Sequence, residues 1–163
     1  MEIVAQHLQQ VALAQTDPTD RDHFGRSAFN RYYYATFLHV KAGLGSINPD
    51  WNTMAHAGIP EVLRGSVQRE LKRGRTKAQR TDDAELVRLC SKALSAVSDL
   101  ADLMEKGYAT RVAADYHPEI LVDFSGYRSF KLNTVPVEDA HGWPYRARAL
   151  IDAITLAWTQ IHV

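Results

Sequence analysis

The sequence contains a single cysteine, Cys90, in 163 residues. One cysteine cannot form an internal disulfide, and a chain of this length can bury an apolar core without disulfides or metal ions. Cys90 falls within a helical pattern, which favours a packed thiol over a nucleophile. We therefore predict a protein of a reducing, cytoplasmic environment.

Long apolar runs are also absent. The longest apolar stretch, residues 147–158, is interrupted by Arg148 and Asp152, well before the roughly 20 residues that a bilayer span needs. The N-terminal region carries Glu2 where a signal peptide has basic residues, and Gln9 interrupts its apolar segment. We expect neither a membrane anchor nor export.

Motifs that hold metals or cofactors are missing as well. The seven histidines never occur as His-x3-His, the spacing at which one helix face presents two metal ligands. No glycine-rich phosphate-binding loop and no nucleophile elbow is present. The sequence therefore predicts no metal and no cofactor.

The chain has no net charge, because 19 basic residues balance 19 acidic ones. Any contact with nucleic acid must then come from a local patch. Residues 64–80 form such a patch, with Glu70 as the one acidic residue. The candidate RNA-binding residues are Arg69, Lys72, Arg73, Arg75 and Lys77. Two interpretations remain open: a phosphate-binding surface, or a solvated, mobile loop around Gly74.

Apolar residues recur at steps of three and four, the period of amphipathic helices. Gly43 and Gly107 offer helix stops, and Pro144 suits a first helical turn. The predicted helices cover approximately residues 2–15, 22–44, 59–71, 82–106 and 144–161. We predict an all-α fold: one domain over residues 1–163, folded as an up-and-down bundle of about five helices.

One region departs from the helical period. Phe130 and Leu132 stand two residues apart, as do Val135 and Val137, with Asn133 between the two pairs. Alternation of this kind is typical of short strands joined by a turn. We therefore expect a small β-hairpin inserted near residues 120–137.

Arg111 and His117 form an Arg-x5-His pattern. On a straight helix the two side chains would point about 120° apart, but Pro118 disfavours helical geometry at His117 and allows the pair to converge at a helix end. An imidazole that moves protons and a guanidinium that binds phosphate suffice for phosphodiester cleavage without metal. The alternative is a chance spacing in which Arg111 pairs with Asp115 beside a surface histidine.

Three stretches together resemble the small stand-alone HEPN proteins of bacteria and archaea. SAFNRYYYATF at residues 27–37 is similar to the family's Ser-Arg-x-Tyr-Tyr-Ala-x-Phe helix. MAHAGI at residues 54–59 resembles its Ser-His-x-Gly-hydrophobic segment, and RVAADY at residues 111–116 resembles its Arg-x-x-Ala-Asp-Tyr segment. The order and spacing of these segments match the helices that periodicity predicts.

The resemblance implies a homodimer in which the Arg-x4-6-His motif of each subunit faces a shared cleft and cuts RNA without a metal ion. It implies Arg111 and His117 as catalytic residues of a toxin or antiviral-defence protein. A nucleotidyltransferase antitoxin, or another defence-system protein, is the implied partner, and Tyr116 is the residue it would modify. Val112 departs from the Asn, Asp or His that usually follows the arginine. A noncatalytic module that binds RNA, a nucleotide or that partner is therefore the alternative.

Further residues are supporting candidates. Ser27 and Arg31 share a helix face, and Arg31 would support the phosphate site or, as we favour, brace Asp115. His56 precedes a glycine by two residues, so a structural turn is favoured over a second imidazole in the cleft. The three consecutive tyrosines at residues 32–34 cannot all face one way, so at least one should lie in the core.

Overall fold

The computed structural model describes residues 1–163. It has six helices: α1 Glu2–Ala14, α2 Pro18–Ile47, α3 Ile59–Val62, α4 Gln68–Arg80, α5 Ala84–Tyr116 and α6 Val137–Ile161. A π-helical segment, Leu63–Val67, joins α3 to α4, and short 3-10 segments cover Pro49–Thr53 and His56–Gly58. The strands are β1 Val122–Asp123, β2 Lys131–Leu132 and β3 Val135–Pro136. The all-α class with a small β insertion is confirmed.

The chain divides into two compact units. Unit 1 comprises Met1–Phe37 and Lys106–Tyr145, and unit 2 comprises Leu38–Glu105 and Arg146–Val163. Each unit has its own buried apolar residues. The assignment of residues 1–163 to one domain stays a prediction. No helix combines the length and apolar character that crossing a lipid bilayer requires.

Aromatic side chains dominate the core of unit 1. Phe29 meets Phe130 edge to face, with ring centroids 5.8 Å apart, and Trp143 is 1% exposed. Tyr32 is buried, and its hydroxyl donates a hydrogen bond of 2.6 Å to Gln9 Oε1. The predicted placement of at least one tyrosine of residues 32–34 in the core is confirmed, because Tyr33 is buried as well.

The β insertion is a three-stranded antiparallel sheet in the order β1-β2-β3. Leu132 pairs with Val135 across a two-residue turn. Asn133 in that turn has φ 56°, a left-handed conformation that asparagine tolerates better than most residues. The predicted hairpin therefore corresponds to β2 and β3, and β1 adds a strand that the sequence pattern did not reveal.

Unit 2 shows why the predicted helix stop at Gly43 is wrong. α2 continues to Ile47, and Gly43 lies inside it. A Cβ atom at Gly43 would lie 2.2 Å from Ile151 Cγ1, so the glycine leaves room for a buried side chain of α6. Its role is close packing of two helices rather than helix termination.

Two further glycines lie inside helices where the sequence predicts a helix stop or a loop, and each again leaves room for a neighbouring side chain. α5 runs through Gly107, where a Cβ atom would meet the Tyr33 ring at 2.9 Å. α4 runs through Gly74, where a Cβ atom would meet Ile161 Cγ2 at 2.4 Å. Both glycines therefore allow a helix to pack closely against a neighbouring side chain, and neither ends a helix.

The start predicted for the last helix is also wrong. α6 begins at Val137, and Pro144 lies inside it. A proline there removes the N–H that would bond the carbonyl of Ala140. Burial of Val137, Ala140 and Trp143 holds the preceding turns in the helix despite that loss.

Replacing Gly43 with alanine should destabilise the protein. Overpacking against Ile151 costs about 1–3 kcal/mol, whereas the better helix propensity of alanine returns at most about 1 kcal/mol. We expect the Tm in thermal unfolding to fall by about 2–4 °C.

Gly142→Ala is the matched control, because a Cβ atom at this helical glycine meets nothing within 4 Å. It should stabilise by about 0.5–1 kcal/mol. Equal shifts of the same sign in the two variants would contradict the packing role of Gly43.

Candidate functional site

A buried arginine on α2 organises the end of α5. Arg26 is 9% exposed, and its guanidinium donates hydrogen bonds to five carbonyl oxygens, those of Ala113, Ala114, His117, Pro118 and Ile120. The last turn of a helix leaves carbonyl groups without intrahelical donors. Pro118 has no N–H for the Ala114 carbonyl, and Arg26 supplies a donor there, with its positive charge at the negative end of the helix dipole.

Asp22 provides the charge that balances Arg26. Its Oδ2 lies 2.5 Å from Arg26 Nε, and its Oδ1 accepts a hydrogen bond of 2.8 Å from the backbone N–H of Val122. One carboxylate therefore joins the guanidinium to the start of β1. Both ends of the segment between α5 and β1 are held to α2 by this pair.

Arg111 lies inside α5 and is held by a carboxylate one turn later. Its Nε is 2.7 Å from Asp115 Oδ2, and its side chain is 28% exposed. Asn30 Nδ2 donates a 2.6 Å hydrogen bond to Asp115 Oδ1. The bracing role that we favoured for Arg31 belongs to Asn30, because Arg31 is exposed and the partners of Asp115 are Asn30 and Arg111.

A tyrosine ring lies beside the Arg111 guanidinium. Its central carbon lies 5.3 Å from the centroid of the Tyr116 ring, and Tyr116 is 64% exposed. Burial raises the pKa of Tyr33, Tyr108 raises it further, and the Arg111 charge opposes both effects. An exposed ring therefore lies beside Arg111, whose charge also acts on a buried tyrosine.

His117 is the first residue after α5 and has its own acidic partner. Its Nδ1 lies 2.9 Å from Glu119 Oε1, and its side chain is 48% exposed. The backbone N–H of Glu119, followed by the His117 ring, lowers the pKa of the Glu119 carboxyl. A carboxylate on Nδ1 favours the tautomer with the proton on that atom, which leaves Nε2 as a proton acceptor facing away from Glu119.

The structure does not join Arg111 to His117 within one chain. α5 has no break between them, and the His117 N–H still donates to the Ala113 carbonyl at 3.2 Å. Six helical positions place the two side chains about 120° apart. Each instead pairs with a carboxylate, which is the alternative arrangement that the sequence allowed for Arg111 and Asp115.

The structure also places the other supporting candidates. Ser27 is exposed, and its hydroxyl donates 2.8 Å to the His23 carbonyl. His56 begins a 3-10 segment in unit 2, whereas Arg111 and His117 belong to unit 1.

Sequence reasoning missed Asp22, Arg26, Asn30 and Glu119. The four-residue spacing of Asp22 and Arg26 is a recognisable ion-pair signal. Nothing in that spacing indicates that the pair is buried at the end of another helix.

The basic segment is helical, so its interpretation as a mobile loop is wrong. Arg69, Lys72, Arg73 and Lys77 are exposed on α4, whereas Arg75 is half-buried. Arg64 lies apart from them, because it pairs with Asp102 at 2.5 Å and with both carboxylate oxygens of Glu105.

Comparisons with protein-family models, curated proteins and solved structures find no match to this chain. The resemblance to HEPN proteins therefore rests on the three motifs alone. No group of three or more histidine, cysteine, aspartate or glutamate side chains is arranged to hold a metal ion.

Arg26→Met should destabilise the protein strongly while retaining most of the packing of the aliphatic stem. It removes the partner of a half-buried carboxylate and the donors of several carbonyls, a loss of about 3 kcal/mol. We expect the Tm to fall by about 6–12 °C and the Val122 amide to exchange faster with solvent. Arg88→Met is the control, because Arg88 pairs with Glu85 at an exposed site. A Tm that changes as little in Arg26→Met as in Arg88→Met would contradict this role.

Proposed function

We propose that this protein is a metal-independent endoribonuclease of the toxin or antiviral-defence type, acting as a homodimer. Its catalytic residues would be His117 and Arg111. The observation that carries the proposal is the contact between His117 Nδ1 and Glu119 Oε1, because it orients an exposed imidazole with a free ring nitrogen. This arrangement suits a general base.

The chemistry follows from these two groups. His117 Nε2 takes the proton of a ribose 2'-hydroxyl, the 2'-oxygen attacks the adjacent phosphorus, and the bond to the 5'-oxygen breaks. That leaving oxygen takes up a proton from the imidazolium. The products are a 2',3'-cyclic phosphate and a free 5'-hydroxyl, so atoms and charges balance.

Arg111 would bind the non-bridging phosphate oxygens. Asp115 engages its Nε, so the two Nη groups are the donors that remain for a phosphate. Paired N–H donors of this kind bind phosphate bidentately and stabilise the charge that develops as the 2'-oxygen attacks. Tyr116 beside them offers an exposed ring against which a base can stack.

The continuity of α5 sets a condition on this mechanism. Because the two side chains diverge on one helix, Arg111 of one subunit would act with His117 of the other. A two-fold axis would create two such composite sites in a homodimer. The homodimer is thus part of the proposal, since neither chain alone assembles the pair.

A second candidate function is a noncatalytic module that binds RNA, a nucleotide or a nucleotidyltransferase partner. It is favoured by the carboxylates that already contact both groups, Asp115 on Arg111 and Glu119 on His117. These would compete with a phosphate. Val112, in place of a polar residue after Arg111, also favours this alternative.

The deciding experiment incubates the purified protein with mixed RNA in the presence of chelator. We expect cleavage with cyclic-phosphate ends by the parent protein and a loss of roughly 100-fold or more in Arg111→Ala and His117→Ala, the usual size of a general acid–base contribution. The control is Arg128→Ala, an exposed arginine outside the site. Absence of cleavage by the parent would favour the noncatalytic module.

Mixing the two inactive variants tests the composite site. In a mixed dimer of Arg111→Ala and His117→Ala, one of the two sites keeps both functional groups. An equal mixture should therefore recover about a quarter of the parent activity in a two-fold dimer. If both groups acted within one chain, the mixture would stay inactive.

A further inference from the structure

The α4 helix separates its residues into two opposite faces. Leu71, Gly74 and Ala78 are buried. The exposed basic residues lie within about 140° of the helix circumference on the other side and extend over about 16 Å. We call this set the cationic face: Arg69, Lys72, Arg73, Lys77 and Arg80.

Few acidic residues lie near the cationic face, so most of its positive charge is not neutralised. The one nearby ion pair is Arg73 with Glu70 at 3.8 Å, in which the arginine side chain is 80% exposed. Lys72, Arg73, Lys77 and Arg80, with Thr76 between them, line a shallow surface groove. A neutral protein therefore carries a concentrated positive strip, which attracts a polyanion.

Aromatic rings adjoin this strip within unit 2. His162 stacks on Trp158 with ring centroids 4.7 Å apart and planes inclined by 28°. Trp158 in turn meets Trp51 at 5.8 Å. His162 also lines a pocket of about 230 Å³ together with Arg73, Lys77 and Glu70, so a flat, exposed ring lies beside two cations and one carboxylate.

We propose that the cationic face and the His162 ring form a binding site for single-stranded nucleic acid. The cations contact successive phosphates, and an unpaired base enters the pocket beside Arg73 and Lys77 to stack on His162. Cations that follow the backbone, with rings that accept bases, are the combination used by proteins that bind single strands. A duplex keeps its bases stacked on one another and cannot use the ring.

A membrane surface fits this site less well. Helices that lie in a bilayer interface combine basic residues with large apolar side chains that enter the lipid. The exposed positions of α4 carry only charged and polar residues. The site therefore has the chemistry for phosphates and bases but none for insertion.

This inference rests on the proposed function for its choice of RNA, whereas phosphates and bases are common to RNA and DNA. The binding site belongs to unit 2 and uses none of the residues proposed for cleavage. Binding and cleavage can therefore be tested separately.

The test measures fluorescence anisotropy of a labelled 12-nucleotide RNA whose 2'-hydroxyls are methylated, so that it cannot be cleaved through the 2'-oxygen. Binding of the full chain is followed between 50 and 200 mM salt. The Arg73→Gln/Lys77→Gln variant should bind about tenfold more weakly, with a salt slope flatter by roughly 1.4, or 0.7 for each lost phosphate contact. Its control is Arg88→Gln/Lys92→Gln, which removes two exposed charges from α5 and should leave binding unchanged.

His162 is tested by two substitutions. His162→Ala should weaken binding about fivefold through loss of base stacking, whereas His162→Phe keeps a flat ring and should bind like the parent protein. A duplex of the same sequence should bind more weakly than the single strand. If single-stranded DNA binds as tightly as RNA, recognition of phosphates and bases is supported, and the assignment of RNA as the preferred ligand is wrong.

Several outcomes would overturn the inference. These are no binding by the parent protein, equal losses in the two double variants, and His162→Ala binding like the parent. Attachment to anionic phosphatidylserine vesicles without RNA binding would assign the cationic face to a membrane and also overturn it. RNA binding without any cleavage would leave the inference standing and remove only the proposed nuclease.

Discussion

The candidate site depends on the hydrogen bonds that the Arg26 guanidinium donates at the end of α5. This guanidinium lies in the core of unit 1, takes its counter-charge from Asp22, and donates to carbonyl groups of the last turn of α5 and the residues after it. Pro118 has no N–H to donate to the Ala114 carbonyl one turn earlier, so Arg26 supplies a donor that the backbone cannot. The path of the chain through His117 is therefore set by a buried cation from another helix, although the His117 side chain itself is half exposed.

The site that results holds its two functional groups apart. Asp115, itself bonded to Asn30, binds Arg111, and Glu119 binds His117. Each carboxylate orients its partner and also competes for any phosphate. In the proposed nuclease the second subunit brings the guanidinium to the imidazole, so assembly and catalysis would be one property. In the noncatalytic alternative the same two contacts are the resting state of a binding surface.

Segregation of side chains on α4 explains how a protein without net charge presents a strongly basic strip. Gly74 allows Ile161 to approach the helix closely, and Leu71 and Ala78 are buried on the same side. The long basic side chains then have only the solvent side available. Gly43 has the same role elsewhere in unit 2, because the lack of a side chain there makes room for Ile151.

The local order of polar and apolar residues is enough to predict the helical class, the α1 start, the α5 start to within two residues and the small hairpin, because helix and strand periods are properties of neighbouring residues. It also singled out Arg111, His117 and the cationic segment by residue type. The predictions at Gly43, Gly74 and Gly107 are wrong, because contacts distant in sequence decide whether a glycine ends a helix or makes room for a neighbouring side chain. The same reason applies to Arg26 and Asn30, whose acceptors on α5 lie more than 80 residues away in the sequence. The sequence left open whether Arg111 and His117 converge or pair with separate carboxylates. Only the tertiary structure shows that α5 is unbroken as far as Tyr116, since that outcome depends on what packs against the helix end.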